Sequence, residues 1–287
     1  MKDTLVAFFK GLCIGSTFSV PGVSGGAMAI LLNIYDRMVV SLNSLLRRGP
    51  WKVKLKNLLF LAVTAAGGLI GFALFSKLIL LLLEKFPLHT LFLFAGTIGG
   101  GIPAIFSVAG IRKLRLTDPL FVILGAVTVV LISLIPEGLF TPGDKVSVGS
   151  LAIQTVGGFV LAFGLVLPGI SFSQMLHVFG LYETVSNSLN SLDILPLIPI
   201  GIGGVVGVFA TSFGVERLMK RFPRQTYLAV FGFLLGSIPE MFRGVSFAGT
   251  GVLDWMLFLL LAAIGTAAMA FLFFAEKKIG KKEKNSP

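Results

Sequence analysis

Charge is scarce in this chain of 287 residues. Only 13% of its residues are Asp, Glu, Lys or Arg, whereas 55% are hydrophobic, and the mean hydropathy is +0.94. A soluble globular domain carries about twice that share of charge, so this class of protein is excluded. Cys13 is the only cysteine, which excludes an internal disulfide.

Long apolar runs take the place of charge. Six runs approach the ~20 residues that a helix needs to cross the hydrocarbon core of a membrane. They are Leu58–Leu83, Thr90–Ala109, Pro119–Ile135, Leu195–Val215, Gln225–Ile238 with its flanks, and Val252–Ala275. Two further apolar segments, 4–46 and 149–192, are each broken near the middle by Pro-Gly. The sequence therefore predicts an all-α, polytopic membrane protein.

The two broken segments are copies of each other. Val20–Leu45 aligns without a gap to Leu167–Leu192, and both contain P-G-[VI]-S followed by S-L-N-S-L. Downstream, the small-xxx-small pairs Gly67/Gly71 and Gly96/Gly100 recur as Gly203/Gly207 and Gly232/Gly236, a pattern that lets helices approach closely. We therefore divide the chain into repeats 1–146 and 147–287 of one membrane domain. Helices interrupted at matching places in two halves are typical of a transporter's binding site.

The net charge of +11 does not indicate a nucleic-acid partner, because the basic residues alternate with the apolar runs. They form four clusters, at 47–56, 112–115, 217–224 and 277–284, and the loops between hold few Lys or Arg. By the positive-inside rule, the four clusters and both termini are cytoplasmic. The same clusters are suited to attract anionic membrane lipids.

Counting crossings with these loops as markers predicts the topology. Segment 4–46 begins and ends at the cytoplasmic side, whereas segment 149–192 begins and ends outside. The two repeats are therefore inverted, each with one broken segment and three transmembrane helices. Since the apolar run after each Pro-Gly is short, and ten helical residues cover only ~15 Å, we expect re-entrant hairpins. The alternative is that Pro-Gly merely kinks two ordinary spans.

The hairpin tips carry the predicted chemistry. A proline lacks an N–H, glycine permits close approach, and a serine caps the helix that follows. The unpaired N–H groups at the start of that helix form an anion site. The predicted binding residues at the two tips are Pro21, Gly22, Ser24, Gly25, Gly26, Pro168, Gly169, Ser171, Ser173 and Gln174.

Four ionisable residues near the hairpins are further candidates. Arg37 is a candidate ligand because an intramembrane Arg is costly unless it is paired; otherwise it pairs with Asp36 or reaches the interface. Lys10 either contacts an anion or extends to the surface. His177 and Glu183 are the candidates for proton coupling, although a lone His in an apolar helix is more often a hydrogen-bonded core residue.

The motifs resemble one bacterial membrane family. The string K-G-x-x-I-G from Lys10, P-G-V-S-G-G at 21–26 and the later L-P-G-I-S with G-L-Y at 180–182 are similar to the PopT-type undecaprenyl phosphate translocases. The resemblance covers essentially the whole chain. It implies a flippase in the bacterial inner membrane that returns the polyprenyl phosphate carrier from the outer to the inner leaflet for peptidoglycan synthesis. It implies no cofactor and no metal, and leaves a homo-oligomer open.

One departure from the family pattern concerns the second tip. The family commonly continues P-G-I-S with Gly and Ser, whereas this chain has Phe172-Ser173-Gln174. The resemblance therefore implies a less open second tip and unequal roles for the two.

Three other classes of protein fit parts of the pattern. Polyprenyl pyrophosphate phosphatases share inverted repeats and a P-G-x-S motif, but they place an Arg after that Ser and add an acidic cluster. Here Gly25 follows Ser24, and no intramembrane acidic pair offers a general base or a metal site. A transporter of another phospholipid or of a small anion stays open. A purely structural scaffold has no need of duplicated broken helices.

Overall fold

The computed structural model describes residues 2–20, 23–111, 113–136, 148–170, 172–191 and 193–284. Within these residues the secondary structure is entirely helical. The first half contains α1 (Lys2–Ser16), α2 (Gly25–Leu31), α3 (Tyr35–Leu46), α4 (Trp51–Lys85), α5 (Pro87–Gly100), α6 (Ile102–Val108) and α7 (Asp118–Ser133). The second half contains α8 (Val148–Val166), α9 (Phe172–Val178), α10 (Tyr182–Ser191), α11 (Leu197–Arg221), α12 (Pro223–Met241) and α13 (Val252–Lys284).

Among the described residues, five helices are long and apolar enough to cross a membrane, judged by length and composition. They are Trp51–Lys85, Pro87–Val108, Gly149–Val166, Leu197–Arg221 and Val252–Ala275. Two of the six predicted spans differ. The predicted span at 119–135 is the shorter apolar helix α7. The run at 225–238 belongs to α12, which has Arg224 and Glu240 near its ends and is not among the five.

The chain reverses abruptly in the first broken segment. α2 has only seven residues, about 10 Å of helix, and a bend of 117° separates it from α3. Asn33, at the bend, has φ of +52°, a left-handed conformation that Asn tolerates better than most residues. α9, in the second broken segment, is also seven residues long.

Two Phe-Pro turns join the long helices in the same way. Phe86 ends α4 with φ −137° and ψ 59°, and Phe222 ends α11 with φ −134° and ψ 59°. Each is followed by a proline at the first position of the next helix, where the missing N–H costs nothing. The repeated dipeptide thus makes the same corner twice.

Glycine contacts hold the long helices in four close pairs, α1 with α4, α8 with α11, α5 with α13 and α7 with α12. A Cβ at Gly67 would overlap the carbonyl oxygen of Phe8, and one at Gly203 that of Thr155. Gly96 lies in the same way against Ala262, and Gly232 against Val122. The prediction that these glycines let helices approach closely is confirmed, because only hydrogen fits at each contact.

Within each pair the two helices run in the same direction. Gly11 lies against Thr64 and Gly15 against Gly68, so residue numbers rise together along α1 and α4. In α8 and α11, Thr155 lies against Gly203 and Phe159 against Gly207. Since α1 and α4 are parallel, the chain between them returns to the end from which α1 started.

Two polar contacts fix which helix ends lie together. Arg47, just before α4, bonds Glu216 near the end of α11 at 2.8 Å, so the start of α4 and the end of α11 share one end of the molecule. Arg224, near the start of α12, pairs with Asp118 at the start of α7. Both contacts involve the basic clusters that the charge pattern assigns to one side.

The glycine packing predicts a sharp contrast between two neighbouring substitutions in α11. Gly203→Ala should lower the thermal unfolding temperature in detergent by several degrees, because the new methyl group forces α8 and α11 apart at about 1–3 kcal/mol. Gly201→Ala is the matched control, since no atom lies within 4 Å of its Cβ position and Ala favours a helix. Equal unfolding temperatures for the two variants would contradict the packing.

Candidate functional site

A cavity of about 1000 Å³ lies beside Ser24, at the start of α2. Its wall is mostly apolar and comes from both halves, with residues of α1, α2, α3, α4, α8, α9, α11 and α12. Its polar side chains are few: Ser19, Ser24, Tyr35, His177, Ser212, Glu240 and Arg243. A large apolar cavity with a few convergent polar groups is typical of a ligand site.

Ser24 is the centre of this site. Its hydroxyl oxygen accepts the N–H of Ala27 at 3.1 Å, which caps α2, and the N–H of Gly169 at 2.8 Å. Ser24 is only 7% exposed. A hydroxyl has two acceptor positions and one proton to donate, and both acceptor positions are filled. Within the described part of the chain, the structure shows no acceptor for that proton.

The start of α2 and the turn after α8 touch each other directly. Besides the Ser24–Gly169 bond, the Tyr35 hydroxyl donates to the carbonyl oxygen of Val166 at 2.7 Å, at the end of α8. A Cβ at Gly26 would lie 3.3 Å from Pro168. Gly169 has φ of +81° and is packed against Phe233, whose carbonyl oxygen a Cβ would overlap. Both features require glycine at position 169.

Arg243 lines the cavity as one member of an ion pair. It lies just beyond α12, where it donates to the carbonyl oxygen of Ser133 at 3.0 Å and pairs with Glu240 at 3.4 Å. Its side chain is 56% exposed. In the sequence, Arg243 is one of the few basic residues between the four clusters and was not predicted as a site residue. The signal was present, since Arg243 is an isolated cation directly after a helix that follows the Gly-rich repeat.

At the other end, α3 and α11 close the cavity. The Ser212 hydroxyl reaches the carbonyl oxygen of Val39 at 3.4 Å. One turn further along each helix, the Asn43 amide donates to Glu216 at 2.6 Å. Asn43 is fully buried and Glu216 is 2% exposed, and Arg47 and Lys220 neutralise the carboxylate. We call Glu216 and its three partners, Asn43, Arg47 and Lys220, the Glu216 cluster.

The structure brings some of the predicted tip residues together. Ser24, Gly25 and Gly26 line the cavity, and Pro168 and Gly169 are buried beside them. Pro21, Gly22 and Ser171 lie outside the described residues, as do the side chains of Ser173 and Gln174.

The predicted ionisable residues are dispersed. His177 lines the cavity and stacks on Tyr182, with ring centres 4.2 Å apart. Arg37 lies over the ring of Phe60 at 4.1 Å and is not among the cavity-lining residues of the described chain, nor are Lys10 and Glu183. Asp36 accepts the Tyr227 hydroxyl of α12, and among the described residues no ion pair joins it to Arg37.

Comparison with known proteins identifies relatives over most of the chain. A family model described as undecaprenyl phosphate translocase-like matches residues 5–250. A Staphylococcus aureus protein named polyprenyl-phosphate transporter is 29% identical over 91% of this chain and 93% of its own length. A Vibrio cholerae protein with the same name is 28% identical over 83% of this chain and 77% of its own. No solved structure matches.

The packing of the second turn predicts that Gly169→Ala is more harmful than left-handed strain alone explains. Gly249 is the matched control, because its φ is +80° and nothing lies within 4 Å of its Cβ position. We expect Gly249→Ala to cost about 1 kcal/mol, whereas Gly169→Ala adds the overlap with Phe233 and lowers the unfolding temperature further. Equal losses in a thermal melt would contradict a close approach at Gly169.

Proposed function

Since the chain belongs to the undecaprenyl phosphate translocase-like family, we propose that it moves polyprenyl phosphate across the bacterial plasma membrane, from the outer to the inner leaflet. The polyprenyl phosphate is substrate, and no reaction is catalysed. Both relatives are named transporters, which agrees with the expectation that the chain is not an enzyme. The direction of transport, the membrane and the mechanism are part of the proposal.

The observation that carries the proposal is an apolar cavity with few polar groups, among them the Ser24 hydroxyl and the ion pair of Arg243 with Glu240. A lipid phosphate has a charged headgroup that hydrocarbon does not solvate, while its tail is stable in lipid. A transporter therefore needs to shelter only the headgroup. The cavity of about 1000 Å³ provides room for a phosphate and the first part of an isoprenoid tail.

We assign the headgroup to the space between Ser24 and Arg243. The free proton of the Ser24 hydroxyl donates to one phosphate oxygen, and the Arg243 guanidinium binds the phosphate by charge-assisted hydrogen bonds. The predicted residues Gly25, Gly26, Pro168 and Gly169 shape this space, and Pro21, Gly22, Ser171, Ser173 and Gln174 complete it in the proposal. Arg37 is not assigned to the headgroup, because it stacks on Phe60.

The walls of the cavity suit the tail of the lipid. Leu69 and Phe72 of α4 line the cavity and are also exposed on the outer surface of the helix bundle. These residues form one side of the cavity and also face the surroundings of the helix. The lipid tail can therefore stay in the bilayer while the headgroup is bound. The coupling roles of His177, Glu183 and Lys10 stay part of the proposal.

We also propose that the two repeats are inverted, with a re-entrant hairpin in each. Three features support this arrangement. The parallel pairs α1/α4 and α8/α11 both return the chain to its starting end. The start of α4 lies beside the end of α11, so the paired helices of the two halves run in opposite directions. The short helices α2 and α9 are too short to cross the core.

In the proposed alternating-access mechanism, the cavity is closed at the end where α3 and α11 are in contact. With the basic clusters on the cytoplasmic side, Arg243 is at the outer end of the cavity and the Glu216 cluster at the cytoplasmic end. The contacts Ser212–Val39 and Asn43–Glu216 support an outward-facing state. Transport requires these contacts to open while the outer end closes.

The inverted topology predicts which loops are accessible from outside. In a Cys13→Ser background, single cysteines at Asp193→Cys and Ser246→Cys should react with a membrane-impermeant maleimide on intact bacterial cells. Lys52→Cys should react only after the cells are permeabilised. All three positions are exposed, so reactivity reports sidedness. Labelling of position 193 from the cytoplasmic side alone would contradict the inverted second repeat.

The headgroup assignment predicts a loss of transport in Arg243→Gln and Ser24→Ala. The assay uses proteoliposomes containing polyprenyl phosphate, with a soluble phosphatase outside that cleaves only headgroups on the outer surface. Arg243→Gln should lower the translocation rate about tenfold or more, since hydrogen bonds to charged groups contribute about 1.5–3 kcal/mol. Lys85→Gln, which removes a cation from the end of α4 on the same side, should translocate at the wild-type rate.

The same assay separates the competing functions. Absence of translocation by folded wild type, with or without a pH gradient or a membrane potential, would overturn the proposal. Uptake of inorganic phosphate without any lipid requirement would instead identify a transporter of small anions. Equal translocation of unrelated phospholipids would identify a less selective lipid transporter.

A further inference from the structure

A second cavity, of about 480 Å³, lies at the end of α11. It is lined by Arg47, Phe213, Glu216, Arg217, Lys220 and Arg221. Four of the six side chains are cationic and one is a carboxylate, which gives the cavity a formal charge of +3. We call it the basic cavity. Its charge and its concave shape both indicate an anionic ligand.

The basic cavity continues the seam along which the main cavity runs. Leu42 and Ser212 line the main cavity, whereas Arg47 and Glu216 line the basic cavity. On α11 the step from Ser212 to Glu216 is one helical turn, about 6 Å. The two cavities are therefore consecutive along the contact between α3 and α11, separated by the layer that contains Asn43.

The cations of the basic cavity are not all neutralised. Glu216 accepts from Arg47 at 2.8 Å and from Lys220 at 2.5 Å. Among the described residues, no carboxylate pairs with Arg217 or Arg221. Arg221 instead lies 5.4 Å from the ring centre of Phe222. Two guanidinium groups thus remain available beside a carboxylate that holds the other two cations.

We propose that the basic cavity is a second phosphate site, which binds a phosphate monoester at the cytoplasmic end of the transport path. A phosphate monoester carries about −1.5 to −2 charges at pH 7, opposite in sign to the cavity's formal charge of +3 and near the charge of the two guanidinium groups that Glu216 does not hold. Guanidinium groups bind two phosphate oxygens at once in their planar geometry. The lipid form of this ligand rests on the proposed function, whereas free phosphate would use the same groups.

Binding at this site acts on the closed end of the main cavity. A phosphate that reaches Arg47 and Lys220 competes with Glu216 for both cations. Glu216 is then left as a buried charge held only by Asn43, which is unfavourable. Occupation of the basic cavity therefore weakens the contact between α3 and α11 that separates it from the main cavity.

The test is a binding measurement on the full chain in phosphatidylcholine nanodiscs. Isothermal titration calorimetry is carried out with inorganic phosphate and with a C10 prenyl monophosphate. We expect Arg217→Gln/Arg221→Gln to weaken binding at the basic cavity at least tenfold and to leave binding at the main cavity unchanged. Arg243→Gln should weaken binding at the main cavity and leave binding at the basic cavity unchanged. Arg217→Lys/Arg221→Lys, which keeps the charge, should retain most of the inorganic phosphate binding.

Lys52→Gln/Lys56→Gln is the matched control, because it removes two cations from the same end of the molecule outside the basic cavity. Wild-type affinity is expected for this variant. The single variants Arg217→Gln and Arg221→Gln decide the question if the double variant does not fold. Tighter binding of the prenyl monophosphate than of inorganic phosphate at this site would identify the lipid as the source, and equal binding would identify free phosphate; either supports a phosphate site.

Binding of both ligands by Arg217→Gln/Arg221→Gln with wild-type affinity would overturn the inference. That result differs from a failure of the proposed function. If lipid translocation is absent but the arginine-dependent site still binds inorganic phosphate, the second site stands without the flippase. If translocation depends on Arg243 while the arginines of the basic cavity bind nothing, the flippase stands without the second site.

Discussion

The centre of this molecule depends on the bond between the Ser24 hydroxyl and the N–H of Gly169. Two interrupted helices place backbone groups in an apolar environment, where an unpaired N–H costs several kcal/mol. The Ser24 oxygen satisfies one such group from each half of the chain, Ala27 N–H and Gly169 N–H. The two breaks therefore stabilise each other, and the main cavity lies beside the bond that joins them.

Much of this arrangement could be predicted from the sequence. The repeated P-G-[VI]-S string marks where the helices of both halves are interrupted. The repeated glycine pairs identified the helix contacts, because a small residue at a helix interface is a local and readable signal. The direct contact between Ser24 and Gly169 was not predictable. The bond from Gly169 to Ser24 depends on how the two halves dock, and the sequence of either half does not contain that information.

The polar groups at the two ends of the seam were harder to find. Arg243 has Ser107 at the matching repeat position, and Glu216 has Leu80, so neither residue belongs to the duplicated pattern. Neither residue can therefore be predicted from the repeat. Glu216 was also hidden within a basic cluster whose charge the positive-inside rule already explained. Arg243 and Glu216, which have no counterpart in the first repeat, thus lie where the two ends of the main cavity differ.

Helix pairs that join the two halves have a consequence for the order in which the protein is assembled during synthesis. α5 of the first half packs against α13 of the second, and α12 of the second half against α7 of the first. When Gly96 leaves the ribosome, its partner Ala262 is still roughly 10–30 s from being synthesised. During that time the glycine face of α5 is covered only by lipid or by other membrane proteins. The glycine face of α5 is therefore completed within the protein only after the last helix has been synthesised.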